Sequence, residues 1–203
     1  MRVCHLAGLT SLLGLVFISS ASANIVANPG FESGATNWTF NPASSDPWQI
    51  GTGVGIAGAH TGTQDASTGC VGAQCINPDT SPLGAWLYQD LVTVPGTQYT
   101  LSFWFASAGQ PGQELEVLFG STVADDLVNV VNGPYIQYSN AVTLTATSTT
   151  TRLEFIGRQD PSFNSLDDID VEGATSTVTP EPSAYVLIGS GLALLAGWRR
   201  RRA

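Results

Sequence analysis

The side chains that could do chemistry in this 203-residue chain are chiefly acidic or aromatic. Two carboxylate pairs stand close in sequence, Glu114 with Glu116 and Asp125 with Asp126. A glycosidase needs two such acids at a defined separation, one to protonate the leaving oxygen and one to attack or to activate water. Adjacent acids more often form a solvated face, and no other catalytic apparatus accompanies these. The Gly-x-Ser-x-Gly elbow is absent. A nucleophile–base pair in the central region would rest on His60 alone, and Ala59-His60-Thr61-Gly62 reads as a structural turn. Zinc-type clusters of His and Cys are also missing. The expected protein is not an enzyme.

The aromatics are stronger candidates, because C–H-rich sugar faces stack on exposed rings while polar neighbours take the hydroxyls. In residues 85–91, period-two alternation puts Trp86 and Tyr88 on one face with Asp90, opposite Leu87 and Leu91. In residues 100–106 it puts Trp104 opposite Leu101, Phe103 and Phe105. Trp86, Tyr88 and Trp104 are therefore expected as an outward aromatic patch for ligand stacking. The competing reading covers them with the segment 41–82, which carries Trp48. Trp38 reads as core, and Tyr135 and Tyr138 as contacts of the loop after Asn132-Gly133-Pro134.

The elements that must position these residues are strands. Short period-two runs at 85–94, 98–106, 114–119, 141–146, 151–157 and 167–172 are separated by Gly, Pro, Asn and Ser. Val94-Pro95-Gly96-Thr97 is a turn: proline pre-sets φ and glycine supplies a positive one. Residues 41–82 are Gly-rich and irregular, with room for one or two edge strands. One all-β sandwich domain over 24–174 buries such strands. Cys70 and Cys75 lie in a Gly-rich loop and are expected as a local disulfide.

Charge narrows the partners. The chain has no lysine, 7 arginines, 16 acids and a formal net charge of −9. Only Arg152 and Arg158 lie outside the terminal segments, so the central region is strongly acidic. Nucleic acid and anionic lipid are poor partners for such a surface.

Both ends carry processing signals. Arg2, the apolar stretch 6–18 and Ala21-Ser22-Ala23 have the three parts of a signal peptide over 1–23, cleaved by signal peptidase before Asn24. At the other end, a polar linker over 175–182 holds Pro180, Glu181 and Pro182, and 15 uncharged residues then run from 184 to 198 before Arg199 to Arg202. That stretch is short for a single transmembrane helix, although arginine side chains extend it by snorkelling. The basic cluster should stay cytoplasmic, leaving Glu181 outside. This tripartite terminus resembles the PEP-CTERM sorting signal recognised by exosortases. The resemblance implies a precursor anchored at the inner membrane over 183–203, then a protein at the cell surface or in the extracellular matrix.

The central domain has its own resemblance. Asn28-Pro29-Gly30-Phe31-Glu32-Ser33-Gly34 with Trp38 resembles the opening of jelly-roll carbohydrate-binding modules and their galactose-binding-like relatives. Leu87-Tyr88-Gln89-Asp90 and Pro95 through Phe103 look like their central strand pair, and Phe163 through Val171 like their closing strand. Such modules imply a structural Ca²⁺ between the opening and closing segments, here with Glu32 and Asp167 as carboxylate ligands and Asn28 and Asp168 assisting. Alternation places Asp167 inward with Ile169 and Val171, where an ionised carboxylate needs a partner. Backbone amides or Arg152 are the other partners open to Glu32 and Asp167. The resemblance implies a non-catalytic polysaccharide binder; the alternatives are a structural biofilm-matrix protein and, more remotely, a glycan hydrolase.

Overall fold

Alternation of side chains along long antiparallel strands builds the domain. The computed structural model describes residues 22–40, 48–69, 85–109, 112–159 and 161–174. Among them run β1 (Thr39–Phe40), β2 (Gln49–Gly51), β3 (Asp65–Thr68), β4 (Ala85–Val92), β5 (Gln98–Ser107), β6 (Glu114–Phe119), β7 (Thr122–Val128), β8 (Ile136–Ser139), β9 (Leu144–Thr145), β10 (Thr150–Arg158) and β11 (Asn164–Gly173). They form a five-stranded sheet in the order β1-β4-β10-β6-β7 and a six-stranded sheet built on β2-β3-β11-β5-β8, with β9 also on β5. Residues 1–21 of the expected signal peptide, the disulfide cysteines, the linker, the sorting motif and the transmembrane segment lie outside the described residues, while Ser22, within the expected leader, donates from Oγ to Gly173 O.

The two sheets share one core. Leu87 and Leu91 of β4, Leu153 and Phe155 of β10, and Leu115, Val117 and Phe119 of β6 turn inward from the first sheet. Leu101, Phe103 and Phe105 of β5 and Leu166 of β11 meet them from the second. Phe103 packs edge-on against Phe155, with centroids 5.6 Å apart and planes at 80°. Phe155 leads on to Trp38 and then Phe31, so the opening segment closes one end of the core. Each of these side chains contributes roughly 1.5–3 kcal/mol by leaving water.

The opening segment is held by polar side chains as well. Buried Gln89 accepts from the Ala27 amide and donates to the carbonyls of Ala27 and Asn37. The Asn24 carboxamide oxygen accepts from Val26 and Val171 amides, while its nitrogen donates to the Ile169 carbonyl.

The expected strands appear with shifted ends, and the 94–97 turn closes with Thr97 donating to Val94 O and Gly96 at φ 82°. The run expected over 141–146 shrinks to the two residues of β9. Sequence alternation missed β7, because a bulge opposite Val117 and Leu118 displaces its phase. It missed β3 as well: Asp65, Ala66, Ser67 and Thr68 are all buried, so no polar face marks the strand. β3 is an inner strand between β2 and β11, not an edge.

Trp48 corrects a further expectation. Its indole lies in the core, donating from Nε1 to Ala85 O at 2.9 Å, so it does not cover Trp86 or Tyr88. Gly157 makes room for it: a Cβ there would stand 2.6 Å from Thr68 Cγ2 and 3.0 Å from Trp48 Cζ2. We expect Gly157→Ala to destabilise the domain by about 1–3 kcal/mol, read as a lower denaturant midpoint at unchanged m-value.

Candidate functional site

The outward face of the five-stranded sheet gathers rings and charges in rows. Trp86 and Tyr88 alternate with core-facing Leu87, and both are half-buried. Their centroids are 5.4 Å apart with planes at 36°. In register, Trp86 lies beside Ile156, then Glu116, then Asp126. The next row runs Thr39, Tyr88, Glu154, Leu118. Arg152 donates from Nε to Asp90 Oδ1 at 2.9 Å, and its guanidinium carbon sits 3.6 Å from the centre of the Tyr88 ring. That pairing fixes the ring's orientation by a cation–π contact.

The acids of this face sit in poor electrostatic company. Burial, then repulsion from Asp126, pushes Glu114 and Glu116 above their ordinary range. Burial also raises Glu154, against the pull of Arg152. Glu114 and Glu116 share a face, as expected of residues two apart. Asp125 and Asp126 do not: Asp126 opposes Glu116 outside, while Asp125 opposes core-facing Val117.

Trp104 belongs to β5 in the six-stranded sheet, so the expected three-ring patch divides between opposite faces of the sandwich. Alternation within each strand was read correctly, but it carries no information on which sheet a strand joins. Trp104 is also covered. The His60 ring stacks on it at 3.8 Å and 16°, and Tyr135 meets His60 edge-on. His60 Nδ1 lies 2.6 Å from Asp168 Oδ2, and Thr61 Oγ1 donates to Asp168 Oδ1. Residues 52–64 thus roof this face, with Ile56 N donating to Ser165 Oγ and Tyr135 Oη to Gly58 O. Burial first, then the Asp65 charge, holds the Tyr135 hydroxyl far above its ordinary range. Tyr138 instead packs on Phe103 and Phe105.

Asp167 lies under this roof, not in the core. It is level with Trp104, whose side faces outward, and a bulge between Asp167 and Asp170 then reverses the phase. Asp168 takes φ 45° in that bulge. Simple alternation from Ile169 and Val171 therefore assigned Asp167 to the wrong side. Its carboxylate accepts from the amides of Asp168, His60 and Thr61. Burial outweighs these bonds and raises it to about 6.

Glu32 works on the same loop. It accepts from the amides of Thr63 and Gln64 and from Thr63 Oγ1, bonds that hold it below its ordinary range. A Cβ at Gly62, where φ is +65°, would collide with this carboxylate. Asn28 is engaged elsewhere, accepting from Ser33 N and donating to Gly34 O and Thr36 O within the opening turn. Among the described residues no three His, Cys, Asp or Glu side chains converge as a metal site. Of the four residues expected around calcium, Glu32 and Asp167 accept from loop amides, Asp168 bonds His60 and Thr61, and Asn28 bonds within its own turn.

Comparison with known proteins adds the C-terminal motif and the fold. Residues 178–202 match the PEP-CTERM protein-sorting motif, which contains Pro180, Glu181 and Pro182. No curated protein matches the chain. The CBM22-1 xylan-binding domain from Paenibacillus barcinonensis Xyn10C superposes with a TM-score of 0.52 at 13% identity, covering 78% of this chain and 100% of that one. A cyclase from Fischerella sp. TAU, in complex with 4-(1H-indol-3-yl)butan-2-one, gives 0.52 at 20% identity over 77% and 100%. The enzymatically active domain of bacteriophage CBA120 tailspike protein 4 gives 0.52 at 13% identity, over 74% of this chain but only 21% of the tailspike. At these identities the likeness is one of fold, a jelly-roll sandwich, and the neighbours include enzymes beside the binding module.

The shifted carboxyls set a pH dependence. Asp65, Asp167, Glu114, Glu116 and Glu154 are raised and Glu32 is lowered. A raised acid binds more protons folded than unfolded, so stability falls as pH climbs from its ordinary value through the raised one. Glu32 contributes the opposite slope, its stabilisation being lost on acidification. The raised group is larger, so the melting temperature should be higher at about pH 5 than at about pH 7. A pH-melting series showing the reverse order would contradict the assignment.

Proposed function

We propose that the chain is an exported, non-catalytic surface or matrix protein, sorted by an exosortase, that binds extracellular polysaccharide on the outward face of the five-stranded sheet. The PEP-CTERM motif at 178–202 supports the export and processing. Signal peptidase removes the leader, and the terminal arginines hold the precursor at the inner membrane until the exosortase acts. The fold, similar to that of a xylan-binding domain, supports the ligand class.

One observation carries the binding reading: Trp86 and Tyr88 stand 5.4 Å apart on a sheet face bordered by Glu154, Glu116 and Asp90. Rings supply stacking area at low entropic cost, and carboxylates fix hydroxyls. Arg152 occupies one side of Tyr88, so Trp86 is the principal stacking surface. Trp104, already stacked on His60, has no part in it.

Trp86→Ala should weaken polysaccharide binding by about 2 kcal/mol, roughly thirtyfold. Tyr88→Ala should cost less, and Trp104→Ala should leave affinity unchanged while lowering stability. Glycan-array screening followed by calorimetry reads all three. Loss through Trp104 alone would move the site to the other sheet, and no glycan binding at all would favour a purely structural matrix role. Replacing Pro180, Glu181 and Pro182 with alanine should leave the C-terminal segment uncleaved, seen by intact mass of the cell-associated chain.

A further inference from the structure

The proposed binding face is strongly acidic. Among the described residues five carboxylates project from it, Asp90, Glu114, Glu116, Asp126 and Glu154, against Arg152 and Arg158. Arg152 is committed to Asp90 and the Tyr88 ring. Glu116 stands directly opposite Asp126, an arrangement that costs stability in an isolated sheet. The chain has no lysine to relieve it.

We propose that the ligand is an amino-sugar polymer bearing free ammonium groups, with Trp86 stacking one sugar ring while Glu116, Asp126 and Glu154 take the ammonium groups of its neighbours. The proposal rests on the sugar-binding reading of this face and names its substrate class. An ammonium offers three donors and a positive charge, so its bonds to carboxylate are short and charge-assisted. Trp86 and Glu116 lie in one row two strands apart, roughly 10 Å. A single sugar ring cannot span that distance, whereas an oligomer lying across the strands can. A polyuronate would be repelled by the same acids. The spread of these acids along a row also disfavours a point cation, since among the described residues no three of them converge. Burial and repulsion from Asp126 raise Glu114 and Glu116 above their ordinary range, a cost that a bound cation relieves.

The test compares two forms of one backbone, chitosan oligomers and fully acetylated chitin oligomers, with xylan as an amine-free polysaccharide, titrated calorimetrically into the processed exported chain. Chitosan should bind about tenfold or more tightly than chitin, a difference of about 1.4 kcal/mol. Glu116→Gln and Glu154→Gln should each shrink that preference to about threefold or less, and Trp86→Ala should weaken both ligands. Glu172→Gln, on the other sheet, should leave the preference intact and so excludes diffuse attraction to an acidic protein. Equal or tighter binding of chitin or xylan overturns the amino-sugar proposal while leaving sugar binding on this face standing. A preference for chitosan that survives both glutamine variants overturns it as well. No binding in any arm defeats the sugar-binding reading and this proposal together.

Discussion

The edge-on contact of Phe155 with Phe103 joins the two sheets, and the rest of the molecule follows from it. With Phe155 and Leu153 turned inward on β10, Arg152, Glu154 and Ile156 must turn outward. β4 pairs with β10 in the same phase, so burying Leu87 and Leu91 sends Trp86 and Tyr88 out beside them. A slip of one residue would bury the charges and expose the core, which is why register is strongly specified here. The candidate binding face is thus the reverse side of the hydrophobic core.

One loop decides the fate of the outward face of the six-stranded sheet. Residues 52–64 roof the six-stranded sheet, burying Asp65, Ser67, Ser165 and Asp167 and stacking His60 on Trp104. In a domain without lysine, and with both central arginines on β10 of the other sheet, that roof has no lysine or arginine to offer the acids beneath it. Backbone amides take the cation's place. Thr63 and Gln64 serve Glu32, while His60, Thr61 and Asp168 serve Asp167. Gly62 lets the chain pass close to Glu32. The price is desolvation, which shows in the raised Asp167 carboxyl.

Local patterns were legible wherever a strand has one wet and one dry face. β4, β5, β6 and β10 could be read from residues such as Leu87, Leu101, Val117 and Phe155 spaced two apart. The reading failed where that contrast is lost. β3 is dry on both faces, and β7 and β11 each carry a bulge that shifts their phase. Asp167 fell on the wrong side for that reason alone. At the site, Trp86 and Tyr88 were recognisable as an outward pair. Their company on the face, Glu116, Asp126 and Glu154, comes from strands distant in sequence.

By itself the amino-acid sequence determined the PEP-CTERM sorting motif, the all-β class, and the outward pairing of Trp86 with Tyr88, because each depends on composition or on residues a few positions apart. Tertiary structure alone decided that Trp104 belongs to the opposite face, that Trp48 enters the core, and that Asp125 and Asp126 part company. Those outcomes depend on which strands become neighbours and where a bulge reverses their phase. Both are settled by the packing of two sheets against each other, not by any local run of residues.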